Sequence, residues 1–185
     1  GSDPIAEPAA DEPLTQHAAL LYLEWKHGKS AAQSMREAQL KLAYQFYRAT
    51  GGPDGKVERA TGDFETTGEY AALIYGKAPL VFDGVRKQLG DAAYFKALRT
   101  YADDNRWRWV STETVFKTFA RTSPSSTKPV EKLRRRWWQE LHGDEDIGRG
   151  DLAGLLQGSG LGDLQMTPEQ LKQLEEAMKV LGGGP

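Results

Sequence analysis

Few side chains in this sequence could hold a metal, activate water or attack a bond. The 185 residues include no cysteine and only three histidines, His17, His27 and His142. Without cysteine there is no disulfide framework, no thiolate zinc site and no cysteine nucleophile. A catalytic zinc takes three protein ligands and keeps one position for water. The histidines are nowhere paired at i, i+4, and no H-E-x-x-H occurs. His17 stands one turn after Glu12 and Pro13, a ligand-like spacing, yet at that place it reads first as a helix-surface histidine. Taken alone, Glu12 is a first-turn acid favoured by the helix dipole, and Tyr75 is a helix tyrosine packed between neighbours. Spacing by itself does not make a metalloenzyme of this chain.

A second pattern interleaves bases with aromatics. Arg106-Trp107-Arg108-Trp109 and the run Lys132 to Trp138 have the composition used for stacking on single-stranded nucleic acid. The formal net charge is −2, but residues 17–142 carry +7 between ends of −4 (1–16) and −5 (143–185). Against nucleic acid, Trp137 shares a helix face with Leu133 and Leu141, which expects it in the core with the arginines on the solvated side. A sequence pI near 6 points the same way. No nucleic-acid partner is expected. No apolar run approaches the ~18 residues of a membrane span, so none is expected either.

The elements that must position these residues are helices. Leu14, Ala18, Leu21 and Trp25 recur at helical steps up to Gly28. Ala31, Met35, Ala38, Leu42 and Phe46 mark a longer helix, with Ser30 as its N-cap and Gly51-Gly52 as its stop. Residues 51–68 read as a loop. Helical spacing resumes from Glu69 to Leu89, with a kink or break expected near Gly76–Pro79. Gly90 suits a helix C-terminus, and Asp91 is expected to cap the helix that follows. Further helices start at Thr112 and near Pro129, the latter with Val130, Leu133, Trp137 and Leu141 on one face. Beyond Gly143 glycines suggest a linker, 144–166. Thr167-Pro168-Glu169-Gln170 is a capping box opening an amphipathic helix, 167–182. Gly1-Ser2 looks like a cleaved-tag scar. Residues 1–10 are expected to be a tag remnant or rewritten boundary, and 11–143 a helical domain.

At this point the residues resemble a family. Residues 11–24, Asp-Glu-Pro-Leu-Thr-Gln-His-Ala-Ala-Leu-Leu-Tyr-Leu-Glu, are similar to the segment that follows the H-E-x-x-H helix of gluzincin zinc aminopeptidases. Glu12 falls on the glutamate of that family's W-x-x-E-G stretch. Tyr75-Gly76-Lys77-Ala78 falls on its Y-x-K-G-A motif, 63 residues after Glu12. Arg86, Leu89-Gly90-Asp91 and Phe95 resemble the continuation R-x-x-L-G-D-x-x-F. Thr112-Glu113, Phe116 and Arg136-Trp137-Trp138 resemble the two following helices. Ala9 stands in place of the family's tryptophan, Pro13 and Ala78 in place of its glycines.

The resemblance implies an all-α, multi-helix bundle like the helical subdomain of a thermolysin-like peptidase catalytic domain. It implies a parent zinc metallopeptidase of the aminopeptidase type, acting on peptides. Glu12 would be the third zinc ligand and Tyr75 the oxyanion donor. The two zinc histidines and the general base would lie upstream of residue 1, in another half of the same catalytic domain. This chain alone is therefore expected neither to hold zinc tightly nor to hydrolyse peptides. The face near Tyr22, Trp25 and Tyr75 is expected to be apolar where that half would meet it. Two rival readings remain, a non-enzymatic helical interaction module and single-stranded nucleic-acid binding through the basic, aromatic helix 130–141.

Overall fold

The computed structural model describes residues 1–151 together with 154, 155, 167, 169, 172 and 173. The expected helix at 167–182 and the linker beyond 151 fall, apart from those positions, outside the described residues. Among the described residues every regular element is helical. Helix α1 is Glu12–His27. Helix α2 runs without a break over 29–49, its middle turn Arg36–Lys41 being π-helical. Helix α3 spans 67–77 and also widens into a π turn, Ala71–Lys77. A 3-10 turn, Ala78–Leu80, leads into α4, Val81–Leu89. Then come α5 (Asp91–Asn105), α6 (Thr112–Thr122), α7 (127–139) and the short α8 (Gly143–Asp146).

The break near Gly76–Pro79 is present as the switch from π to 3-10 geometry. Proline 79 has no N–H to give to the wider ladder, so the turn tightens around it. Gly90 adopts φ 76° and its N–H bonds the Arg86 carbonyl at 2.8 Å, a left-handed helix end that a side chain would strain. Two expected caps are not used. Ser30 lies inside α2, whose cap position is Gly28. The Asp91 carboxylate turns to the Arg86 guanidinium, at 2.7 and 2.9 Å, rather than to the N-terminus of α5. The charged hydrogen bonds of a guanidinium outbid a backbone N–H.

Phe82 is the hub of the core. Its ring lies 6.0 Å from Phe116 (stacked), 6.0 Å from Trp138 (edge-on) and 5.3 Å from His17. These contacts join α1, α4, α6 and α7 through one side chain. Trp138, not Trp137, fills the centre of that cluster, and Leu141 is exposed. The cause is local: residues 135–139 form a π turn, and one extra residue in the turn rotates the face expected at 3.6-residue spacing. Residues 1–10 lie against the body. Pro8, Ala9 and Ala10 are buried, and the Glu7 carboxylate accepts from the Thr112 N–H at 2.7 Å, at the start of α6. The beginning of the expected linker is also packed, with Asp144 and Ile147 bonded to α2.

His17 is a correction. It sits on the inner face of α1, 1% exposed, between Phe82 and Tyr94. Neither ring nitrogen has a hydrogen-bond partner among the described residues, nor does the Tyr94 hydroxyl. Burial pulls the imidazole pKa down from 6.5 to about 4, with Asp83 and Glu24 opposing and Arg36 and Arg86 assisting. A folded pKa below the unfolded one means that this stabilisation is complete above pH 6.5 and is lost as pH falls toward 4, by about 3 kcal/mol. Urea midpoints should therefore drop across that window, and His17→Leu should remove much of the slope. An unchanged slope in His17→Leu contradicts the assignment.

Candidate functional site

Glu12 opens α1 and is half-buried; Tyr75, also half-buried, projects from the π turn of α3. The two elements pack together, the Tyr75 phenol lies close enough to Glu12 to feel its charge, and its ring packs on Tyr70; no hydrogen bond joins Tyr75 to Glu12. Burial first, then the Glu12 charge, push the Tyr75 phenol up to about 12. The carboxylate and phenol singled out from the sequence thus share one patch of surface.

Tyr70 was not singled out, and it completes the patch. Its ring meets Tyr75 edge-on at 5.6 Å and Phe64 at 5.1 Å. Residues five apart sit on different faces of an α-helix, but an i→i+5 turn brings them onto one. The π turn at 71–77 is what makes the two tyrosines neighbours. Behind them, Arg59 lies over the Phe64 ring at 4.1 Å and binds the buried Glu69 carboxylate at 2.6 Å. Glu69 also accepts from the Glu65 N–H at 2.7 Å, while Thr66 caps α3 by accepting from the Glu69 N–H at 3.0 Å. The 51–66 loop is thereby a scaffold for the aromatic pair.

The π turn is fixed from inside. At Gly76 an added Cβ would lie 2.9 Å from the Leu40 carbonyl oxygen, so α2 and α3 touch backbone to backbone through their π turns. Next to it, the Lys77 side chain is wholly buried. Its ammonium donates to Asp54 Oδ1 at 2.8 Å, to the Gly55 carbonyl at 3.0 Å and to the Glu140 carbonyl at 3.4 Å. Burial lowers its pKa, and Asp54 works against that shift. Asp54 Oδ2 accepts from the Gly143 N–H at 2.9 Å. Beside it, Asp144 takes the Tyr44 hydroxyl at 2.9 Å and two Arg48 nitrogens at 2.6 and 2.5 Å. Trp138 Nε1 donates to the Ala78 carbonyl at 3.0 Å, at the π-to-3-10 switch. Asp54 carries no signal in sequence beyond its place in a Gly-Gly-Pro-Asp-Gly turn.

Metal ligation is not assembled by these residues. Among the described residues no three histidine, cysteine or acidic side chains come together to hold an ion. His17 faces the core, and His142 lies 3.3 Å from Glu140 and 3.0 Å from Glu145. The basic, aromatic helix is also accounted for locally. Arg134 pairs with Glu58 at 2.6 Å, Arg136 with Asp146 at 2.8 Å and Arg135 with Glu140 at 3.4 Å. Trp138 is buried and Trp137 half-buried. No family model, curated protein or solved structure matches the chain.

Removing one partner of a buried ion pair strands the other charge in the interior. Asp54→Ala should therefore cost about 3–5 kcal/mol in denaturant unfolding, and Lys77→Met in the same chain should recover part of it. A loss in Asp54→Ala no greater than that of a surface substitution would contradict the role given to Lys77.

Proposed function

We propose that the chain is the helical half of the catalytic domain of a zinc metallopeptidase of the aminopeptidase type. The single observation that supports this reading is that Glu12 and Tyr75, 63 residues apart, lie on packed elements close enough for the Glu12 charge to act on the phenol. Two residues chosen only by resemblance to a motif pair would share a patch by accident in few folds. Two exposed aromatics near the other end of α1 support the reading too. Tyr22 is 56% and Trp25 79% exposed, their rings 6.0 Å apart, an apolar face suited to an upstream half of the same domain.

The residues present do not by themselves make a zinc site: Glu12 would supply one ligand, and among the described residues no three histidine, cysteine or acidic side chains come together to hold an ion. What the chain contributes is a fixed carboxylate and a fixed donor. As a peptide carbonyl becomes tetrahedral, its oxygen gains charge, and the Tyr75 hydroxyl can donate to it. A preorganised donor of that kind lowers the barrier by about 3–4 kcal/mol. Tyr70 and Phe64 hold the ring at the needed angle, and Lys77 holds the turn.

The test is to express the chain joined to the segment encoded immediately before it and to assay aminopeptidase cleavage with and without zinc chelation. Activity should appear only in the joined protein. Tyr75→Phe should lower kcat about 10²- to 10³-fold with little change in KM, and Glu12→Gln should lose bound zinc. An upstream segment without H-E-x-x-H, or full kcat in Tyr75→Phe, would overturn the reading.

A further inference from the structure

The expectation of no nucleic-acid partner has two premises, a pI near 6 and tryptophans that pack inward. The second fails at one place. Between α5 and α6, the loop Arg106-Trp107-Arg108-Trp109 leaves Trp107 95% and Trp109 79% exposed, with both arginines exposed as well. Trp107 has φ 64°, the only non-glycine residue in the left-handed region among the described residues. A bulky side chain there is uncommon and costs conformational energy. Here it coincides with an indole that lies out in water. At the base of the loop the Val110 N–H donates to the Gly1 carbonyl at 2.8 Å.

The two arginines of this loop, but neither tryptophan, line a polar groove of about 630 Å³. It is lined by Arg106, Arg108, Lys117 and Arg121 against Asp103 and Asp104. Those charges sum to +2, in a chain whose net charge is −2. Lys117 and Arg121 have carboxylate partners, Glu113 and Asp104, and Arg106 stands 3.8 Å from Asp103. No ion pair is formed by Arg108 among the described residues. A cationic groove beside two solvent-exposed aromatic faces is the equipment for an unpaired nucleic-acid strand: phosphates track the cations while bases stack on the rings. A lipid surface fits less well, because arginines and aspartates rather than apolar residues surround the two tryptophans.

We propose that this loop and groove bind single-stranded nucleic acid without sequence preference. The surface lies on elements other than those carrying Glu12 and Tyr75, so it is independent of the peptidase reading. Fluorescein-labelled oligothymidylate, titrated with the full chain and followed by anisotropy, tests it. The logarithm of the association constant should fall linearly with log salt. Trp107→Ala with Trp109→Ala should weaken binding by at least about 5-fold, and Arg106→Ala with Arg108→Ala should flatten the salt slope. Because Trp107 is almost wholly in solvent, Trp107→Ala alone should keep the thermal melt unchanged, so that a loss of binding reads as lost stacking. No binding at low salt would overturn the proposal. So would binding that ignores both tryptophans, or equally tight binding to phosphatidylserine vesicles that the oligonucleotide does not displace.

Discussion

An ammonium group without access to water must find acceptors inside the protein, and Lys77 finds three in two different segments. The carboxylate of Asp54 and the carbonyls of Gly55 and Glu140 surround it. This one side chain ties the 51–57 loop, the end of α3 and the exit of α7 together. Asp54 then passes the constraint to α8 through Gly143. The buried pair adds little net stability over well-packed apolar residues, but breaking it is costly. Its consequence is positional: a π turn is intrinsically rare and short, and here it is clamped at its last residue. Two residues before the clamp sits Tyr75.

The aromatic side of the fold is arranged around the same segment. Trp138, edge-on to Phe82 and Phe116, reaches with its indole N–H to the Ala78 carbonyl next to Lys77. Gly76 meanwhile lets α2 lie against the turn. Interior packing, a close backbone approach and a buried ion pair thus converge on 76–78, where the sequence reads Gly-Lys-Ala. The neighbouring phenol and the first-turn acid of α1 are surface groups held by interior ones, the arrangement a precise binding or catalytic pair needs.

Much of this was legible in residue spacing. Helix α1, the break before Pro79 and the stop at Gly90 follow from periodicity and from the backbone limits of proline and glycine. Other features were not, for definite reasons. A 3.6-residue template cannot register an i→i+5 turn. Trp137 was therefore placed where Trp138 sits, and Tyr70 was not seen beside Tyr75. His17 reads as a surface group because nothing in its type shows that α1 turns that face toward Phe82 and Tyr94. Asp91 and Ser30 are good caps by type, but Arg86 claims the one and α2 begins before the other. The pairing of Glu12 with Tyr75 came from a likeness of motifs, not from spacing; long-range partners of this kind leave no mark in local pattern.

The central claim is that those two side chains face a common point. Because the chain contains no cysteine, an engineered pair reports on it without background. In a Glu12→Cys/Tyr75→Cys variant, a short bifunctional thiol reagent should close an intramolecular bridge, seen by mass spectrometry as one reagent joining two peptides. Two separately capped thiols in the folded variant would contradict the account.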